Sequence, residues 1–198
     1  MISKLSSKIA DRLCAEAVIA EDDKDLYSYG FFVILSRILF FVEATIFGII
    51  LHTVVESIVF FVLFSIIRSY AGGVHASSEF KCTAYTTSAL LICILSIKTL
   101  MQYNFDYIIL ILLILSAICI LLLSPLDSLE KPLNKEETKH YRKVSWIITG
   151  LIIVLTLAFY LLDLKSISLS CAISLVLESV LLIAGKVKEK INAAKATD

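Results

Sequence analysis

The stretch "IIRSYAGGVHASSEFKCTAY", residues 66–85, decides how this chain is read. It sets a cation, two glycines, a histidine and a cysteine between two apolar runs. The rest of the sequence is mostly apolar: 59% of the 198 residues are hydrophobic and the mean hydropathy is +0.90. A soluble domain of this size carries far more polar surface, so the composition indicates a membrane protein. Crossing a bilayer takes about 20 apolar residues. Six runs come near that length, at 27–51, 53–70, 83–101, 105–124, 144–162 and 167–185. The quoted stretch therefore joins the second span to the third.

Charge gives the orientation. Formal net charge is zero, which offers nucleic acid no bulk attraction, so no such partner is expected. With the N-terminus in the cytosol, fifteen Lys and Arg residues fall inside, only Lys98 and Lys165 fall outside, and Arg37 lies within the first span. Such a bias places both termini, and residues 66–85, on the cytosolic side. The opening residues do not read as a signal peptide, because no short apolar core follows the basic ones. Ile2, Leu5, Ile9 and Leu13 recur at helical spacing within 2–20, which predicts an amphipathic helix on the inner membrane surface or on the ends of the bundle. The expected fold is an all-α membrane protein with six transmembrane helices behind that interfacial helix. It forms one domain, 1–198: an amphipathic helix and acidic linker at 1–25, a bundle at 26–185 and a basic cytosolic tail at 186–198. Short connections near 52 and 162–166 predict tight hairpins, whereas 68–82 and 124–143 are longer polar connections. Pro125 and Pro132 end the fourth span and stiffen the start of the second polar connection.

Ionised groups within a span are costly and face a partner or a polar cavity. At about 1.5 Å per residue, Arg37 and Glu178 lie roughly 15 Å and 11 Å from the cytosolic ends of their helices. Depth alone thus suggests that these two pair. A small multi-span transporter or peptide exporter that uses such charges is the alternative reading of the whole chain.

The chemistry concentrates in 66–85. Gly72-Gly73 allows a sharp turn and a close backbone approach. His75 comes next, and Cys82 sits where the third span begins. The positive end of a helix dipole favours thiolate over thiol, and a nearby histidine can take the proton or hold the ion pair. Those are the parts of a cysteine nucleophile and its base. On residue types alone, a structural clip or a redox sensor remains open. A metal site would need more ligands than His75, Cys82 and a recruited His140, so no metal is expected. Cys93, Cys119 and Cys171 lie mid-span and read as small apolar residues. Asp127, Glu79, Ser77 and Ser78 are candidates to orient His75 or stabilise an oxyanion; for each, loop solvation or helix capping is the alternative.

The run R-x4-G-x-H-x6-C (Arg68, Gly73, His75, Cys82), followed after the fourth span by "SPLDSLEKPL" at 124–133, resembles the accessory gene regulator protein B (AgrB) family of bacterial quorum sensing. The resemblance covers nearly the whole chain in length, span number and motif order. It implies a membrane cysteine endopeptidase without a cofactor, with His75 and Cys82 catalytic and with Arg68 and Gly73 supporting them beside Gly72. It also implies that the basic segment, Lys131, Lys135, Lys139, Arg142 and Lys143, helps to handle a peptide. The implied partner is a precursor signal peptide with an acidic C-terminal tail, which is cut and closed into a ring. The implied setting is a homodimer in the bacterial cell membrane, with the active site facing the cytosol.

Overall fold

The computed structural model describes residues 2–73, 79–103, 106–126 and 134–197. Among the described residues the chain forms seven α-helices and one 3-10 turn, with no strand. The helices are α1 (Ile2–Ala15), α2 (Lys24–Leu51), α3 (Val54–Ala71), α4 (Glu79–Met101), α5 (Asp106–Leu123), α6 (Lys135–Leu161) and α7 (Lys165–Thr197), and the 3-10 turn is Glu21–Asp23. Five of them, α2, α3, α4, α6 and α7, are long and apolar enough to cross a membrane. The sequence suggested six. The remaining run is the apolar α5, whose stretch Ile109–Leu123 falls short of that length. The chain is thus an all-helical, multi-pass membrane protein.

Residues 1–43 and 44–198 form two compact units, divided within α2. In the first unit, α1 stops at Ala15, earlier than the periodicity to residue 20 suggested. Ala17 turns left-handed at φ 53°. The Val18 N–H then donates to the Leu13 carbonyl (2.9 Å) and the Ala17 N–H to Cys14 (3.0 Å), which closes the helix in a Schellman motif. α1 buries the small residues Ser6 and Ala10, while Leu5 stays exposed. A 2.6 Å ion pair between Lys24 and Asp11 ties the start of α2 to α1.

The same stop recurs in the second unit. His52 (φ 58°) and Asp163 (φ 60°) end α2 and α6, with Thr53 N–H on Gly48 O (2.8 Å) and Leu164 N–H on Phe159 O (2.9 Å). Both hairpins are therefore as tight as their short connections suggest. At the first, a side chain on Gly48 would press on Ser57 and Val54, so the glycine lets the two helices meet.

Helix α7 is the centre of this unit, packing against α3, α4, α5 and α6. In lipid, apolar surface gains little from being covered by another helix. Association depends instead on close van der Waals packing and on satisfied polar groups. The run "SISLSCAISLVLES" at 166–179 supplies the small residues that such packing needs. Its buried hydroxyls are satisfied locally: Ser170 donates to Ser166 O (2.9 Å), Ser174 to Cys171 O (2.7 Å) and Ser179 to Val176 O (2.8 Å). Two further bonds cross between helices, from Ser168 to Thr156 O on α6 (2.8 Å) and from Cys119 on α5 to Ser179 O (3.6 Å). Fully buried Ile67, Ile120, Leu175 and Leu182 fill the space between.

Candidate active site

The site begins where α3 runs out at "RSYAGG". After Ala71 the backbone passes through two positive-φ glycines, Gly72 at 79° and Gly73 at 140°. That turn swings Gly72 against Leu126, which lies just after α5, in an isolated parallel bridge. The Leu126 N–H donates to the Ala71 carbonyl at 2.9 Å. The fit is close enough that a side chain on Gly72 would strike the Leu126 carbonyl. The two polar connections, far apart in sequence, therefore meet as one strap.

The spacing between Arg68 and Gly73 has a spatial meaning. The Arg68 side chain curls over the end of its own helix and donates from Nη1 to the Gly72 carbonyl at 2.6 Å. Its guanidinium fills the place where a Cβ on Gly73 would stand. The same Nη1 lies 4.0 Å from Oε1 of Glu178, on α7. Glu178 is fully buried, and among the described residues neither of its oxygens has a hydrogen-bond partner. Arg68 reaches Glu178 because α3 packs on α7 and the long side chain turns inward.

Further contacts brace the strap. The Ser145 hydroxyl of α6 donates to that of Ser124 (3.0 Å), next to the cis Ser124–Pro125 peptide, and Trp146 Nε1 donates to Leu121 O (3.2 Å). Tyr70 of α3 and Tyr141 of α6 bring their rings to 5.9 Å.

Cys82 lies in the first turn of α4 and is half-buried. N–H groups without a partner inside the helix gather at such a turn. His75 and Ser78 lie in 74–78, and Asp127 and Lys131 in 127–133, all outside the described residues. Cys171 is buried, and Cys93 and Cys119 are half-buried, on α7, α4 and α5.

The basic segment is less of a loop than its polarity suggested. Asn134 and Glu137 form a capping box, with Glu137 N–H on Asn134 Oδ1 (2.8 Å) and Asn134 N–H on Glu137 Oε2 (3.0 Å). Helix α6 therefore starts at Lys135. Lys135, Lys139 and Lys143 recur at intervals of four with Arg142 beside them, all exposed, so residues dispersed in sequence become a stripe along one helix face. The sequence reading missed Leu126 and Ser145 as parts of the site. Only the glycine pair hinted that another backbone comes close.

The sequence pattern of the family described as "Accessory gene regulator B" matches residues 6–182 of the chain. Two AgrB-like proteins of Clostridium perfringens, from strain 13 and strain SM101 (both type A), are each 24% identical over 149 residues. Each match covers 72% of this chain and 69% of the relative. No solved structure matches the chain.

Proposed function

The chain belongs to the accessory gene regulator B family, which processes quorum-sensing peptides, and from that premise we propose that it is a cysteine endopeptidase that cuts and cyclises a precursor peptide. The single observation that supports this most is the strap. Arg68 and Gly73, the first half of the family motif, form a fixed turn that leads directly into the segment bearing His75, and Cys82 opens the next helix.

The chemistry rests on two side chains. His75 takes the proton from Cys82, and the thiolate attacks the carbonyl carbon of the scissile peptide bond. The tetrahedral intermediate collapses as the C–N bond breaks, and His75 returns the proton to the leaving amine. The acidic tail departs, and the remainder stays as a thioester on Cys82. A cysteine or serine of the peptide then attacks that thioester, giving a thiolactone or lactone and restoring Cys82. Thioester exchange is nearly isoenergetic, so the ring must be drawn forward by loss of the tail or removal of the product. Water must also be kept from the thioester, a condition that the membrane boundary favours. In this reading the site faces the cytosol of a bacterial cell, the α6 stripe attracts the acidic tail, and two copies of the chain act together.

A precursor taken from a short reading frame beside the gene, with its ring-closing cysteine changed to alanine, tests the mechanism. It should be cut yet remain attached as a hydroxylamine-labile adduct, visible by mass. The adduct should be absent from Cys82→Ala, slow to form in His75→Ala and intact in Cys93→Ala, Cys119→Ala and Cys171→Ala. Release of the tail at the normal rate by Cys82→Ala would sink the mechanism.

A further inference from the structure

Glu178 is the least explained side chain in the protein. It is a fully buried carboxylate whose oxygens have no hydrogen-bond partner among the described residues, and its helix neighbours Leu175 and Leu182 are buried and apolar. A buried carboxylate is costly unless paired, and a leucine would fill such a place without that cost. Arg68 presents the complementary puzzle. At the end of a membrane helix, an arginine ordinarily extends its head toward water. Here the side chain is only 22% exposed and is drawn in over its own helix. Among the described residues, the anion on that inner side is Glu178, 4.0 Å away.

We propose that Glu178 is a positioning residue: from the central helix α7 it holds the Arg68 guanidinium beneath Gly73 and so fixes the turn that leads to His75 and Cys82. The planar, always-charged guanidinium suits this task, since it can face a carboxylate while donating to a carbonyl. Without the anion, the charge that draws the guanidinium inward is gone, and the side chain shifts from its place over the helix end. The Gly72 carbonyl then loses its donor, the space under Gly73 empties, and the strap to Leu126 loses its support. The link to catalysis rests on the proposed His75–Cys82 pair; the link to the strap does not.

The test uses full-length protein with Cys14, Cys93, Cys119 and Cys171 changed to alanine, in vesicles of phosphatidylcholine and phosphatidylglycerol. Amide exchange reports the strap, and alkylation of Cys82 by iodoacetamide, with and without His75→Ala, reports the pair. Glu178→Gln should speed exchange in 68–73 and 124–126 by about tenfold or more, while α6 and the middle of α7 stay protected. It should also abolish the difference in alkylation rate that His75→Ala makes in the parent, since a misplaced turn uncouples the two residues. Unchanged exchange in the two segments would overturn the proposal, as would faster exchange in every helix, which would make Glu178 a general packing residue. If Glu178→Gln does not fold, Arg68→Met with Glu178→Leu replaces the charges by an apolar pair that should pack well. Its strap should exchange as fast as expected for Glu178→Gln, and parent-like protection would overturn the proposal. An alkylation rate unaffected by His75→Ala in the parent would remove the catalytic pair, leaving exchange to decide the role of Glu178.

Discussion

Replacing Gly72 by alanine tests the strap at its tightest point. The added methyl would meet the carbonyl of Leu126, which is backbone and has no flexible end that can move aside. The residue would also have to hold φ at 79°, a strain of about 1–3 kcal/mol. If the chains part instead, the 2.9 Å bond from Leu126 N–H to Ala71 O is broken, and polar groups left buried and unpaired cost about 1–3 kcal/mol. Depending on how far the chain relieves one cost at the expense of the other, the loss amounts to about 2–6 kcal/mol. At about 2–4 °C per kcal/mol for a chain of this size, melting should fall by roughly 10 °C. Gly73→Ala should fall less, because its obstacle is the end of the Arg68 side chain, which can swing away. Gly30→Ala and Gly150→Ala provide the controls: both glycines lie within helices, and a Cβ there meets nothing within 4 Å. Each should hold or gain about 0.5–1 kcal/mol. Fluorescence-monitored melting of the purified protein in one detergent ranks all four. Gly72→Ala melting within about 2 °C of the parent, or a control falling as far as Gly72→Ala, would refute the strap.

Two further outcomes concern topology and recognition. With Cys82 as the sole cysteine, a membrane-impermeant maleimide should leave it unlabelled in sealed cells and label it in opened vesicles; labelling in sealed cells would invert the orientation. Changing Lys139, Arg142 and Lys143 together to glutamine should weaken binding of a precursor with an acidic tail, with a loss that shrinks as salt is raised. Unchanged cleavage at low salt would leave the α6 stripe as an orientation signal only.

Much of the helical architecture was legible because lipid leaves the backbone few options: long apolar runs become helices. Helix ends were harder to read. Ala17, His52 and Asp163 close three helices in left-handed turns usually marked by glycine, so the sequence carries no local sign of them. The start of α6 did carry one, the "NKEE" at 134–137, where an asparagine and a glutamate three residues later form the capping box. Position along a span marked Glu178 as a charge in need of a partner but gave no sign of Arg68, which stands 4.0 Å from it. Depth ranks charges by distance along a helix, whereas pairing depends on which helices pack and how far a side chain can reach.

The same distinction applies to the candidate site. Its residue types could be read in order along the chain, and four residues separate Arg68 from Gly73. The structure turns that interval into a steric relation. From the last turn of α3, an arginine is long enough to curl back over the helix end, and only a residue without a Cβ leaves room for the guanidinium there. Position 73 therefore answers to position 68 as well as to its own φ. This leads to an asymmetric expectation. Shortening Arg68 to alanine should relieve the collision in Gly73→Ala without restoring the turn, because the backbone strain at φ 140° persists and the Gly72 carbonyl still lacks its donor. A glycine alone would supply flexibility, and an arginine alone would supply charge. Together, over a buried glutamate, they make a turn with one shape.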